Sequence, residues 1–309
     1  MSKIEKLKAF INQKTKDPLM MLWAGAFMDI IGVALLTPYL APIFLSLGVP
    51  VAQVGFFLSI NVFMGFFSGI LWGALSDRFG RRPILIICRI GTVAGYVLLA
   101  LSTNLTMIII SRVIDGIFSR NVQLVLTIIG DRTPPDRRSQ EMSKAGIAWL
   151  LGGLIGPGIG ALLFQFGITG IGLFNSGLAV VALIITLISL KESNPAMLKE
   201  TPPDERFSGK MKSVVSFRLL KKPLPRLRLS QSFFNALSMF IFRIPISLFL
   251  TVRFGFNVGQ ISLVLMATGI VSLGIRMLIF PSLLRKLGDA KTLMLGFLVF
   301  FACFVWLIF

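Results

Sequence analysis

The chain has 309 residues, of which 55% are apolar and 14% charged, with a mean hydropathy of +0.85. Soluble domains carry about 25% charged residues, so a soluble globular fold is excluded, and apolar runs that are continuous rather than alternating exclude an outer-membrane barrel. The net charge of +18 does not point to nucleic acid, because the cations sit between apolar runs and not on a soluble basic face.

Residues 1–18 form a lysine-rich polar segment, and the apolar run after it is too long for the core of a cleaved signal peptide. Nine spanning helices are expected, at roughly 19–46, 51–74, 83–103, 105–129, 143–166, 168–190, 229–252, 258–284 and 290–309. Lys and Arg concentrate in alternate connections: the N-terminal segment, Arg78 to Arg82, Arg132 to Lys144, residues 191–228, and Arg285 to Lys291. The opposite connections near 47–52, 103–106 and 166–169 hold neither. The positive-inside rule therefore puts the N-terminus and the charged connections in the cytoplasm. Residues 191–228, with Pro195, Pro202, Pro203, Pro223 and Pro225, read as a basic cytoplasmic linker. It separates a six-helix half, 19–190, from a three-helix part, 229–309. The last run ends at Phe309 without a polar flank, so the chain reads as truncated in its second half.

Four segments invite a chemical reading. In the first span Asp29 lies about 16 Å deep if the helix enters near Pro18, a depth at which a carboxylate faces the protein interior or water and is functional by default. With no histidine in the chain, a proton relay has to use carboxylates; Asp29 is the first candidate, and its alternative is a structural partner for a buried arginine. Between the second and third expected spans lies a dense polar turn, Gly73, Asp77, Arg78, Gly80, Arg81, Arg82 and Pro83. Its glycines allow a tight turn and close helix approach, and Asp77 can pair with the arginines. A weaker copy occurs at Pro281 to Thr292, a sign of internal repetition. In the fourth span Arg112, Asp115, Gly116, Ser119, Arg120 and Gln123 follow steps of three and four and form one polar face expected to line a cavity. Arg112 and Asp115 either serve proton coupling or neutralise each other. The fifth span carries Gly152, Gly156, Pro157 and Gly160, which permit close packing and a bend.

Besides Arg120 and Gln123, the cavity-lining candidates are Asn61, on a small-residue face with Gly65, Ser68 and Gly69, Asn235 and Arg243; Arg276 also sits deep in its span. Arg89 is expected to snorkel to the interface. Cys88 and Cys303 support neither a disulfide framework nor a zinc site. No phosphate-binding Gly-x-x-x-x-Gly-Lys-Ser/Thr loop occurs, so intrinsic ATP hydrolysis is not supported; no enzymatic activity, cofactor or metal is expected.

Gly73-x-x-x-Asp77-Arg78-x-Gly80-Arg81-Arg82 resembles the signature loop between helices two and three of the major facilitator superfamily. Gly152-x-x-x-Gly156-Pro157-x-x-Gly160 is similar to the motif of its proton-coupled antiporters, with Ala161 where the family often has a further glycine. Arg112-x-x-Asp115-Gly116 looks like the family's fourth-helix signature. The resemblance implies an all-α integral membrane bundle and rocker-switch alternating access. It also implies a cytoplasmic latch at Asp77 and Arg81, and proton coupling through Asp29, Arg112 and Asp115. The expected function is proton-coupled export of small amphipathic solutes or drugs in the drug–proton antiporter branch, by a monomer in the cell membrane whose partners are solute, protons and lipid. Two rivals are uptake of an anionic metabolite, favoured by the buried arginines, and a non-transporting membrane subunit or remnant.

Overall fold

The computed structural model describes residues 18–190 and 246–306, together with Leu227, Ser230, Gln231 and Phe234. Its elements are α1 Pro18–Ser46, α2 Val51–Phe79, α3 Arg81–Ala100, α4 Leu105–Phe118, α5 Asn121–Arg132, α6 Pro135–Leu163, a 3-10 turn Phe164–Phe166, α7 Gly167–Ser189, α8 Ile246–Phe254, α9 Val258–Gly274, a π-helical turn Ile275–Ile279 and α10 Phe280–Trp306. Among the described residues the fold is all-α. Six helical stretches are long and apolar enough to cross a membrane; one of them, Pro135–Ser189, is 55 residues long and holds both α6 and α7. The chain is a multi-pass membrane protein.

Local chemistry explains the boundaries. Asn104 caps α4 by accepting from the Met107 amide at 2.9 Å, and Asn257 and Gln260 form a reciprocal capping box at the start of α9. Pro135 opens α6, where its missing N–H costs nothing. Gly80, at φ 98° and ψ 152°, separates α2 from α3 in a region that residues with a Cβ avoid. Gly288, at φ 74° and ψ 171°, makes the same kind of break inside α10.

The cores give the threading. One buried cluster joins Tyr39 and Phe44 near the end of α1, Val54 at the start of α2, Leu99 at the end of α3, Ile108 in α4, Ile171 in α7 and Val258 in α9. A second joins Leu22 at the start of α1, Trp72 late in α2, Ile84 and Leu85 at the start of α3, Ile128 in α5 and Leu190. Through α7, consecutive spans therefore alternate in direction, α4 and α5 together making one span, and the second cluster lies at the end that carries Asp77, Arg81 and Asp131, called the charged end below. A smaller cluster of Ile30, Val122 and Ala148 sits between them. Helix α1 is the centre of the bundle, packed against both α6 and α7, while α9 packs on α6 and also touches α1. Phe56, Phe63, Phe66 and Phe67 on α2 and Met294, Leu298 and Phe301 on α10 stay exposed, a surface that suits acyl chains and not water.

Several expectations change. The second span does not stop at 74: α2 runs to Phe79, so Asp77 and Arg78 are helical and the turn is Gly80 alone. Apolarity ends at the first charges, but a helix continues until a residue such as Gly80 stops it. The fourth span is two helices, broken at Ser119 and Arg120. The expected spans 258–284 and 290–309 appear as α9, the π turn and α10 kinked at Gly288. Of the span expected at 229–252, only Ile246–Phe254 is described as a continuous helix. Most of the expected linker, and all of residues 1–17, lie outside the described residues.

Candidate functional site

Between the two cores the bundle holds two buried ion pairs. Asp29 on α1 meets Arg89 on α3, with Nη2 3.1 Å from Oδ2 and side-chain exposures of 8% and 2%. The guanidinium fits because residue 25 is glycine: a Cβ there would lie 2.7 Å from Arg89 Nη2. Arg89 thus does not snorkel; it is 1% exposed, and the buried carboxylate gives it a partner that the interface was expected to provide.

The second pair is Arg112 with Asp115, 3.1 Å apart on successive turns of α4. Asn61 on α2 donates to the same Asp115 oxygen, Oδ2, at 2.8 Å, and to the Arg112 carbonyl at 3.3 Å. The Arg112 guanidinium lies 5.5 Å from the Tyr96 ring centre. Gly116 lets α2 approach, since a Cβ there would sit 2.7 Å from the Asn61 carbonyl oxygen.

The break after α4 is built, not frayed. Ser68 donates to the Gly116 carbonyl at 3.1 Å, Trp72 Nε1 to the Ile117 carbonyl at 2.6 Å, and Thr92 to the Phe118 carbonyl at 3.4 Å. Side chains of α2 and α3 thereby satisfy the carbonyls that the missing turn leaves open. Arg120 turns away from the expected polar face and lies in a groove over Gly65 and Gly69, where added Cβ atoms would approach to 2.8 and 3.1 Å.

A cavity opens beside these groups. Asp29, Asp115, Ser119, Gln123 and Trp149 line it, with Thr92, Tyr96, Asn121 and Asn175. The expected face thus divides: Asp115, Ser119 and Gln123 reach the cavity, whereas Arg112 is buried behind it and Arg120 lies against α2. Asn61 supports Asp115 and is not among the lining residues. Asn235 and Arg243 lie outside the described residues. Arg276 is exposed in the π turn, and a Cβ on Gly146 would sit 3.1 Å from its guanidinium.

At the charged end Arg81 is the hub. It reaches Asp77 at 3.1 Å and Ser76 at 3.4 Å and bonds Asp131 at the end of α5. Arg82 donates to the Leu187 carbonyl at 3.4 Å, tying the turn to α7, and Arg78 lies 4.9 Å from the centre of the Phe79 ring. Gly73 does not mediate close helix approach: a Cβ there meets nothing within 4 Å. The glycines of α6 do. Added Cβ atoms on Gly152, Gly156 and Gly160 would collide with Ile30, Ala34 and Tyr39 of α1, at 2.5, 2.7 and 2.5 Å. The Tyr39 hydroxyl lies 3.5 Å from the Pro157 carbonyl and 3.1 Å from the Ser262 hydroxyl of α9, joining three helices.

Sequence reasoning overlooked Arg89 as a pairing residue, and also Thr92, Asn121 and Asn175. A depth count from Gly80 flags Arg89, and a single amide within the apolar run 168–190 flags Asn175.

The comparisons with known proteins agree with this architecture. The family model described as Major Facilitator Superfamily matches residues 22–309. Tetracycline resistance protein, class H, of Pasteurella multocida is 26% identical over 281 residues, covering 87% of this chain and 67% of that protein. The multi-drug resistance efflux pump PmrA of Streptococcus pneumoniae is 28% identical over 202 residues, covering 63% and 50%. The crystal structure of the human organic anion transporter MFSD10 superposes with a TM-score of 0.67 at 23% identity, over 91% of this chain and 81% of that one. This last likeness speaks to the fold alone. With its helices, its signature turn and the family match over nearly all of its length, the chain belongs to the Major Facilitator Superfamily.

Proposed function

We propose that this chain is a secondary active transporter that exports small amphipathic solutes in exchange for protons, by alternating access in the cell membrane with the charged end cytoplasmic. The observation that carries the reading is that Asp29 and Asp115 line one cavity, each backed by its own arginine. A proton on Asp29 removes the negative charge that holds Arg89, and a cationic solute competes for the same carboxylate; either event rearranges a desolvated ion pair. Arg112 sets the charge beside Asp115, and Asn61 fixes the orientation of that carboxylate. Arg81, clamped between Asp77 and Asp131, serves as the latch of the cytoplasmic side. The relatives named for tetracycline resistance and multi-drug efflux support export.

Uptake of an organic anion is the weaker reading. It rested on buried arginines, and two of these, Arg89 and Arg112, are spent on Asp29 and Asp115, while the cavity is lined by carboxylates.

The test is flux in proteoliposomes with an imposed pH gradient. Wild type accumulates an amphipathic amine dye against the gradient, and Asp29→Asn loses about 100-fold of that rate, the scale on which removing a proton-transfer group acts. Undiminished proton-driven flux in Asp29→Asn removes Asp29 from the mechanism. No flux in wild type favours the non-transporting subunit.

A further inference from the structure

The oxygen acceptors around the cavity do not balance. Asn175, on α7 and 1% exposed, donates Nδ2 to the Gly32 carbonyl at 3.3 Å. A carbonyl can only accept, so the amide orientation is set, and Oδ1 has no partner. Asn121, at the start of α5 and 3% exposed, donates Nδ2 to the Thr92 hydroxyl at 2.9 Å. The Thr92 hydroxyl spends its hydrogen on the Phe118 carbonyl, so it accepts here, and Asn121 Oδ1 is again left without a partner. Asp115, 4% exposed, receives Arg112 and Asn61 on Oδ2 and nothing on Oδ1. The Ser119 hydroxyl donates inward to the Gly116 carbonyl at 3.3 Å, leaving its lone pairs.

All of these residues line the one cavity, with Asp29 among them, and neither Arg89 nor Arg112 is part of the lining. Buried acceptors without partners are rare in native structures and ask for a donor. An anion brings further acceptors to this wall. A quaternary ammonium brings charge but no N–H.

We propose that this cavity recognises a primary or secondary ammonium group through its N–H donors, with Asn121 and Asn175 as the specificity-determining residues. The inference rests on the reading of the cavity as a solute site and narrows its ligand class. The charge of the ammonium is met by Asp29 and Asp115, and its hydrogens by the unpartnered oxygens of Asp115, Asn121 and Asn175, buried in the wall until a side-chain turn presents them to the ligand. The two amides therefore sharpen the preference that the carboxylates already have for an N–H cation over a permanently alkylated one on the same scaffold.

The test is binding by the purified full chain in lipid nanodiscs, with three probes on one scaffold: 4-phenylbutylammonium, its N,N,N-trimethyl counterpart and 4-phenylbutyrate. The primary ammonium is expected to bind about 10-fold or more tighter than the trimethyl compound, and the carboxylate weakest. Asn175→Ala and Asn121→Leu each narrow that preference by about 3-fold or more by weakening the primary ammonium alone, and an unchanged preference in both variants overturns their assignment. Should either variant fail to fold, the three-probe comparison on wild type still decides. Equal binding of the two cations, tighter binding of the carboxylate, or no binding of any probe overturns the inference. Selective binding without proton-driven flux overturns the transport reading and leaves this one standing.

Discussion

The turns at Gly80 and Gly288 share a backbone and differ in chemistry. Each joins two helical segments through one glycine at positive φ, 98° and 74°. At the first, Arg81 draws Asp77 and Asp131 into one cluster and Arg82 ties in α7. At the second, Arg285 and Lys286 are exposed, and among the described residues Arg285, Lys286 and Lys291 enter no ion pair. A repeated chain path therefore does not carry a repeated set of contacts. The glycine sets the turn, and the surrounding acids decide whether it becomes an ion-pair cluster.

Substitutions can break that comparison. The largest effect is expected from Arg81→Ala, which removes the ion pair to Asp77, at 7% side-chain exposure, and the bond to Asp131 together. It costs about 3 kcal/mol, read as a lowered midpoint of thermal unfolding in detergent. Next come Gly80→Ala and Gly288→Ala, each about 2 kcal/mol by the same measurement, because each forces a Cβ into a conformation that glycine alone adopts freely. Markedly unequal costs for the two glycines would show that the shared backbone is coincidental. The smallest effect belongs to Arg285→Ala, within about 0.5 kcal/mol, as for an exposed side chain away from any special contact. A loss there comparable to that of Arg81→Ala ends the distinction between the two turns.

Much of the fold was legible because a bilayer demands runs of about 20 apolar residues, and such runs are visible in a single sequence. Asp29 was legible for the same reason: counting from Pro18 puts a carboxylate at mid-depth, where it has to face the interior. Its partner was not, since Arg89 lies a whole helix away along the chain and only the packing of α1 on α3 brings them together. The break at Ser119 and Arg120 was hidden because neither residue is Gly or Pro; the side chains of Ser68, Trp72 and Thr92 make it tolerable, and they come from other helices. The cavity asparagines were missed because an amide within an apolar run reads as packing until its unpaired oxygen is seen. Periodicity also misplaced Arg120, since a helical face ends where the helix does.

The interruption at Ser119 has a mechanical consequence. It makes α5 a stiff segment of its own. One tip, Asn121, stands in the cavity wall, and near the other Asp131 grips Arg81. The two are about 15 Å apart at 1.5 Å per residue. A single rod thus spans from the cavity wall to the Arg81 cluster, while the last carbonyls of α4 are held separately by side chains of α2 and α3. The fourth span is one length of sequence with two sets of moorings.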